Sequence, residues 1–370
     1  VPLSTNDGLP VTQFNMVEIE RLGLLKMDFL GLRTLTVIHD TEAAVRLHEP
    51  DFRIANLDYD DAATYAMLER GETEGIFQLE STGMTQVLVS MHPRSLEDVI
   101  ALISLYRPGP MESIPRFIAC KHDPKLVVYK HPSLQPILSG TYGCIVYQEQ
   151  VIQIFQQLAG YSLGQADMVR RAMSKKKAAV MQQERQNFVY GNEEEGVPGC
   201  IKNGISEEIA NHIYDEMTDF AKYAFNKSHA ACYAVVAYQT AWLKYYYPVE
   251  FMAALMTSVI DNPRKVAEYI REVVLSKSGN YMIFFPSYQY MEQVEYAVED
   301  MDFPADLLVQ GQGMKEQERQ EFLEEFEKPR DHSLAAFCVM GGVFSEGIDL
   351  KKERLIGAVI VGTGLPMVCV

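Results

Sequence analysis

The spacing of apolar residues predicts that residues 1–273 of the chain are mainly helical. Apolar side chains recur at helical intervals in four long segments, 59–104, 144–159, 206–224 and 228–257. Pro248 lies inside the last segment and is expected to divide it into two helices. Ahead of these segments, residues 18–38 form an apolar run that predicts a buried strand followed by the start of a helix.

Local signals predict where some of these helices begin and end. Ser95 precedes the apolar pattern LEDVIALISLY, and its hydroxyl is expected to cap that helix, with Glu97 and Asp98 in the first turn. Gly71 follows an earlier helical pattern and is a suitable C-cap. The sequence RPGPM at 107–111 interrupts the helical region, because two prolines around a glycine cannot continue a helix.

The pattern changes after about residue 273. Strand-like runs at 280–288, 337–350 and 355–366 alternate with helical segments, among them the charged segment 315–327. Strands that alternate with helices are typical of a parallel α/β layer. We therefore expect a domain boundary near 273–279, and no internal repeat is found.

Charge argues against a general nucleic-acid binder, whose binding surface is usually basic. The 370 residues, enough for two or three domains, carry a formal net charge of −17. One window departs from this balance: residues 164–177 hold five basic side chains against one acid. The five are Arg170, Arg171, Lys175, Lys176 and Lys177. Charge runs are usually solvated faces, so a phosphate contact and a solvated surface both remain open here.

The remaining composition favours a cytosolic protein. The six cysteines are scattered without ligand spacing, which indicates reduced thiols. Residues 1–10 lack the features of a signal peptide, and the apolar run at 355–370 is too short to span a bilayer. The chain does not begin with methionine, so we expect that it starts within a longer protein.

Asp28 is a lone carboxylate within the apolar run 26–38. A buried carboxylate that stays ionised without a partner costs on the order of several kcal/mol. The sequence therefore raises the question of what partners Asp28 has; a capped or partly solvated acid at a strand end is one answer.

Seven motifs in residues 1–273 occur in the order known from one family. They are KMDFLGLRTLTVI (26–38), GIFQLESTGM (75–84), LYRPGPM (105–111), YGCIVYQEQV (142–151), GYSLGQADMVRRAMSKKK (160–177), FNKSHAACYAVVAYQTAWLK (225–244) and YPVEFMAALMT (247–257). In this order they resemble the alpha subunit of bacterial DNA polymerase III, the C-family replicative polymerase. The resemblance implies the end of a palm domain in 1–40 and a fingers domain in 41–273.

The resemblance also implies roles for individual residues. Asp28 is similar to the third aspartate of the palm's two-Mg²⁺ site, and such metals activate the primer 3′-hydroxyl. The nucleotide-binding residues that the resemblance implies are Arg170, Arg171, Lys227 and His229, with Lys175 and Lys176 either phosphate contacts or surface. Arginine suits a triphosphate because its planar fork binds phosphate oxygens bidentately. The helix-spaced aromatics Tyr233, Tyr238, Trp242 and Phe251 are expected to be core.

The family's partners are implied in the same way. They are primer–template DNA, deoxynucleoside triphosphates, a sliding clamp and a clamp loader, with the last two expected to bind outside these residues. A bacterial, nucleoid-associated cytoplasmic location follows, with no membrane partner. The other two metal-site aspartates lie in a PDxDxDF motif that these 370 residues do not contain. We therefore expect that this chain does not polymerise DNA as it stands.

The last part of the chain resembles a different family. The segments YMIFFPSYQYMEQV, LLVQGQGMKEQERQEFLEEFE, GGVFSEGIDL and LIGAVIVGTGLP are similar to the second RecA-type motor domain of DinG-type superfamily 2 DNA helicases. The resemblance implies that Ser345, Glu346, Gly347 and Asp349 couple nucleotide to DNA. Glu346 and Asp349 as caps of a following helix are the alternative. No GxxxxGK[ST] phosphate loop is present, so we expect no ATPase activity.

The sequence as a whole predicts a multi-domain chain. It is mainly α, with a short palm β segment, and is followed by a partial α/β RecA-like domain in 274–370. The leading hypothesis is a partial replicative polymerase that is inactive as this chain. A non-catalytic DNA- or nucleotide-binding fragment, or a chimera with a helicase C-terminal domain, is the alternative.

Overall fold

The computed structural model describes residues 1–25, 27, 31–174, 178–221, 223–344 and 348–362. An exposed antiparallel hairpin of β1 (Leu3–Asn6) and β2 (Leu9–Thr12) comes first. The first helices are α1 (Met16–Arg21), α2 (Arg33–Val45), α3 (Ala62–Glu69), α4 (Thr82–Met91), α5 (Leu96–Leu105), α6 (Ile114–His122) and α7 (Gln135–Leu138). The next are α8 (Gln148–Ala159), α9 (Leu163–Ser174), α10 (Ala178–Tyr190), α11 (Glu207–Ala221), α12 (Lys227–Tyr246), α13 (Pro248–Ser258) and α14 (Pro263–Ser276).

The helices up to α13 pack around two main cores. In one core, α12 lies against α3 and α5, and the fully buried Tyr238 of α12 donates a hydrogen bond to the Asp58 carbonyl (3.1 Å). In the other, α8, α9, α10 and α11 surround Phe155 and Phe188, whose rings meet edge to face. These buried aromatic side chains explain why segments of modest helix propensity are held in place.

The last part of the chain is a parallel sheet with helices on both faces. It contains β3 (Asn280–Phe285), α15 (Tyr288–Glu299), β4 (Ala305–Val309), α16 (Glu316–Glu324), β5 (Ser333–Val339) and β6 (Gly357–Ile360). The strand order is β4-β5-β3-β6, and all three pairings are parallel. Every residue of β5 is buried, as expected for a strand covered on both faces.

Helix α14 connects the two parts. Its Tyr269 packs with Phe251 of α13, while its Val266 and Ile270 belong to the core beneath the sheet. The mainly α character of the first part and the α/β character of the last part are therefore confirmed. The domain boundary near 273–279 stays a prediction.

Three local predictions from the sequence are confirmed. Ser95 caps α5, and Asp98 closes a capping box with it. Gly71 follows α3 with a positive φ of 78°. Pro248 starts α13 directly after α12 ends.

Two other predictions are wrong. The strand predicted from residue 18 is absent from the described part of 18–38, where α1 covers 16–21 because Asn15 caps it. Leu25 and Met27, expected to be buried, are 88% and 74% exposed. Residues 144–147 are not helical, since Tyr147 pairs as an extended residue with Phe225.

Candidate functional site

The structure describes only some of the residues that the sequence singles out. Outside the described residues lie Asp28, Lys175, Lys176, Ser345, Glu346 and Gly347. The described ones fall in three places: Arg170 and Arg171 on α9, Lys227 and His229 at the start of α12, and Asp349 between β5 and β6.

The start of α12 is fixed by two polar side chains. Asn226 is its N-cap, and the Asn226 Oδ1 accepts a hydrogen bond from the His229 N–H (2.9 Å). Glu149, in the first turn of α8, accepts the Lys227 N–H with both carboxylate oxygens (3.1 and 3.0 Å). Glu149 also accepts from the Asn226 amide (2.9 Å). A carboxylate here satisfies N–H groups that have no partner within the helix and interacts favourably with the helix dipole.

Backbone pairing joins the segments before α8 and α12. The Gln148 N–H donates to the Phe225 carbonyl (2.9 Å), and the Gln148 side-chain amide donates to the Ala224 carbonyl (3.0 Å). The N-termini of the two helices therefore lie side by side.

The Lys227 side chain lies between an acid and an aromatic ring. Its ammonium is 2.9 Å from the Glu97 carboxylate on α5 and 5.2 Å from the centre of the Tyr147 ring. The Lys227 side chain is 40% exposed and the Glu97 side chain is 60% exposed. This cation is therefore held in one place while anions in solvent can still approach it.

His229 is an exposed member of an aromatic row. Its ring lies between those of Tyr233 (4.4 Å between ring centres) and Phe225 (5.4 Å), and Tyr233 continues the row to Phe77 (5.2 Å). His229 is therefore not a core residue. Among the aromatics predicted to be core, Tyr238 and Phe251 are fully buried, while Tyr233 and Trp242 are partly buried.

Arg107 lies next to this aromatic row, and nothing in the sequence indicated its position. Its guanidinium lies over the Phe225 ring at 4.1 Å and donates to the Tyr223 carbonyl (2.7 Å). Burial lowers the pKa of the Arg107 guanidinium below its ordinary value. Arg107 lies in the RPGPM segment, for which the sequence predicted a helix break and a family motif but no role for the arginine. Glu149 was likewise part of a quoted motif without an assigned role.

Arg170 and Arg171 share one acidic partner on α9. The Asp167 carboxylate is 2.5 Å from the Arg170 guanidinium and 2.8 Å from that of Arg171. The hydrogen bond from Arg170 holds the pKa of the Asp167 carboxyl below its ordinary value. The Arg171 side chain is 67% exposed and that of Arg170 is 17% exposed, so Arg171 presents the more accessible cation.

Helix α8 relates the two cationic groups. A short connection, 160–162, joins α8 to α9, and the two helices pack together. Glu149, in the first turn of α8, meets the Lys227 N–H. Both cationic groups therefore lie on helices that adjoin α8, with Arg170 and Arg171 on α9 and Lys227 on α12.

The sheet carries a separate polar feature at the carboxyl ends of its strands. The side chain of the buried Gln310, just after β4, accepts the Val339 N–H (2.9 Å) and donates to the Tyr288 hydroxyl (2.7 Å). Ligands of parallel sheets bind at this edge. Asp349 forms an exposed ion pair with Lys351 (2.8 Å), and the described residues directly after it form no α-helix. A short 3-10 helix, Lys352–Arg354, begins three residues later with Lys351 as its N-cap, so Asp349 does not cap it.

The described residues do not form a metal site. Within the ranges given above, no group of three or more histidine, cysteine, aspartate or glutamate side chains could hold a metal ion. The described cysteines are free thiols. In the same ranges, no helix is both long and apolar enough to cross a membrane.

Comparison with known proteins identifies two classes of domain in this chain. Residues 34–196 match the bacterial DNA polymerase III alpha subunit finger domain, and residues 270–369 match a helicase C-terminal domain. Both resemblances seen in the motifs are therefore confirmed.

The similar proteins are named DNA polymerase III subunit alpha. That of Thermus aquaticus is 51% identical over 283 residues, which cover 74% of this chain and 22% of that protein. That of Bacillus subtilis is 46% identical over 289 residues, which cover 78% and 25%. That of Caulobacter vibrioides is 50% identical over 261 residues, which cover 70% and 22%. The chain thus spans about a quarter of the length of the curated relatives it matches.

Proposed function

We propose that this chain carries the fingers of a template-directed DNA polymerase and binds the triphosphate of an incoming deoxynucleotide. The observation that carries the proposal is the arrangement around α8. Lys227 and His229 lie beside its N-terminus, and Arg170 and Arg171 lie on α9, the helix that packs against it. The similarity to polymerase alpha subunits supports it.

The chemistry of these side chains suits a triphosphate. Guanidinium groups bind phosphate oxygens through paired hydrogen bonds, and an ammonium adds a compact point charge. Nucleotidyl transfer depends mostly on positioning and on stabilising negative charge that builds on the phosphates. The row of His229, Tyr233 and Phe77 contains an exposed ring, that of His229, on which a base can stack; the other two rings are partly buried.

The residues that the structure describes do not provide a set of ligands for a metal ion. Two Mg²⁺ ions, with Asp28 as one ligand, remain part of the proposal only through the resemblance. Bound Mg²⁺ would lower the barrier by activating the primer hydroxyl and neutralising the pyrophosphate. We also propose primer–template DNA as the main partner. A sliding clamp and a clamp loader as further partners, and a nucleoid-associated cytoplasmic location, complete the proposal.

A second candidate function is nucleotide or DNA binding without polymerisation. The match of residues 270–369 to a helicase C-terminal domain favours it, because that region is unrelated to nucleotidyl transfer. Primer extension with Mg²⁺ tests the second candidate, which requires that the chain does not extend a primer, and no extension is the result we expect. Extension that is abolished by Asp28→Asn would exclude the second candidate.

Titration with a fluorescent deoxynucleoside triphosphate tests the proposed function. We expect saturable binding that is lost in Arg170→Ala and in Arg171→Ala. Lys202→Ala removes an exposed cation between α10 and α11 and serves as the matched control. If binding is absent, or if the arginine variants bind like the control, the proposal is wrong.

A further inference from the structure

The ion pair between Lys227 and Glu97 has a consequence for nucleotide affinity. We propose that Glu97 sets the affinity for nucleotide. Its carboxylate forms an ion pair with the Lys227 ammonium in the nucleotide-free chain, and the triphosphate must displace this carboxylate to bind the ammonium. This inference rests on the proposed function and specifies how the same site is regulated.

The first step is that two N–H groups at the N-terminus of α12 already have hydrogen-bond acceptors within the chain. Free N–H groups at the start of a helix commonly bind phosphate. Here Glu149 takes the Lys227 N–H, and Asn226 takes the His229 N–H. The side-chain ammonium of Lys227, rather than its backbone, is therefore the group left to meet an anion.

The second step is that Glu97 already meets this ammonium. The carboxylate lies 2.9 Å from the Lys227 Nζ, within the range of a charge-assisted hydrogen bond. The Tyr147 ring lies 5.2 Å from the same atom and limits where the ammonium can go. A triphosphate oxygen and the Glu97 carboxylate therefore compete for one cation.

The third step is that the competition is reversible. Glu97 is 60% exposed, so water can solvate its carboxylate once the triphosphate replaces it. Exposed ion pairs of this kind are weak, equivalent to at most about a fivefold change in an equilibrium constant. Glu97 should therefore tune the affinity without preventing binding.

Glu97 is also dispensable for the helix that carries it. The capping box of α5 is formed by Ser95 and Asp98, so Glu97→Gln leaves both capping hydrogen bonds in place. Glu208 is a matched control, because it is an exposed glutamate in the first turn of α11. Glu97→Gln and Glu208→Gln change the net charge by the same amount.

The test is a double-mutant cycle on nucleotide affinity. Kd for a fluorescent deoxynucleoside triphosphate is measured for the full chain, Glu97→Gln, Glu208→Gln, Lys227→Gln and the Glu97→Gln/Lys227→Gln pair. We expect Glu97→Gln to bind about twofold to fivefold more tightly than the full chain, a gain that disappears in the Lys227→Gln background. A general charge effect would instead survive in that background and appear in Glu208→Gln.

The outcomes separate the two proposals. If the full chain binds nucleotide and loses it in Arg170→Ala, but Glu97→Gln binds no more tightly than Glu208→Gln, only the role of Glu97 is wrong. If Glu97→Gln binds more tightly by the same factor in the presence and absence of Lys227, the role of Glu97 is also wrong. If the full chain shows no saturable binding, both proposals fail.

Discussion

Replacing Glu149 with alanine should disturb both the stability of α12 and the nucleotide site. The carboxylate accepts the Lys227 N–H and the Asn226 amide, so the substitution leaves two donors without their partner. It also removes a negative charge from the N-terminal end of a helix of 20 residues. Because Lys227 lies in the first turn, fraying of that turn moves its ammonium.

The size of the effect follows from these contacts. Loss of a capping acceptor costs about 0.5–2 kcal/mol, and loss of a favourable charge at a helix end costs about 0.3–1 kcal/mol. A hydrogen bond to a charged group contributes about 1.5–3 kcal/mol where water cannot replace it. Since Asn226 is exposed, water replaces part of this interaction. We therefore expect a loss of about 2 kcal/mol in the free energy of unfolding.

Urea denaturation followed by tryptophan fluorescence measures this loss. Trp242 is the single tryptophan of the chain, lies on α12 and stacks on Phe52, so its emission reports the unit that contains the site. Gln157→Ala, at an exposed position on α8, is the control and should change stability by less than about 0.5 kcal/mol. An unfolding free energy for Glu149→Ala within about 0.5 kcal/mol of the control, with unchanged nucleotide affinity, would refute the reasoning.

Three further predictions concern other parts of the chain. Lys121→Met should cost about 3 kcal/mol in the free energy of unfolding, because its buried ammonium is 3.2 Å from the buried Asp98 carboxylate. Burial raises the pKa of Glu184, so its contribution to stability is present below the ordinary glutamate pKa and lost as pH rises through the raised value. The melting temperature of Glu184→Gln should therefore be higher than that of the wild type at about pH 8 and equal to it at about pH 4. Gly109→Ala should weaken nucleotide binding. Gly109 has a φ of 102°, and an added Cβ would lie 2.4 Å from the ring of Tyr223. Tyr223 would have to move, and its carbonyl holds Arg107 over the Phe225 ring, next to His229.

Each of these predictions has a control and a contradicting result. Lys202→Met, at an exposed position, should leave urea denaturation unchanged, and an equal loss in both lysine variants would contradict the buried pair. For Glu184→Gln, a melting-temperature difference that does not depend on pH would contradict the linkage. Gly140→Ala adds a Cβ with no atom within 4 Å. Equal nucleotide affinity in the two glycine variants would show that Tyr223 does not matter.

Features governed by local chemistry could be predicted from the sequence. The cap at Ser95, the C-terminal glycine at Gly71 and the break at Pro248 depend on residues within a few positions of one another. The parallel sheet was also predictable, because buried strands alternate with helices of different period. The motifs added Arg170, Arg171, Lys227 and His229 as site candidates.

Features that depend on distant residues could not be predicted. Residues 144–147 have an apolar helical pattern, but Tyr147 pairs with Phe225 and is extended. Glu149 and Lys227 are 78 positions apart, and Arg107 meets the Tyr223 carbonyl across 116 positions. No periodicity in one segment indicates such partners. The strand expected near residue 18 failed for the opposite reason, because the local cap at Asn15 favours a helix there.

Photo-crosslinking of a deoxynucleoside triphosphate to the chain would show which helices contact the phosphates. A γ-phosphate azidoanilide derivative would be irradiated with the protein, and the labelled peptides would be mapped by mass spectrometry, with excess unlabelled nucleotide as competitor. We expect labelling within α9 or the first turns of α12 that excess unlabelled nucleotide reduces. Labelling confined to residues 280–362, or labelling that unlabelled nucleotide does not reduce, would contradict the claim that these helices form a nucleotide site.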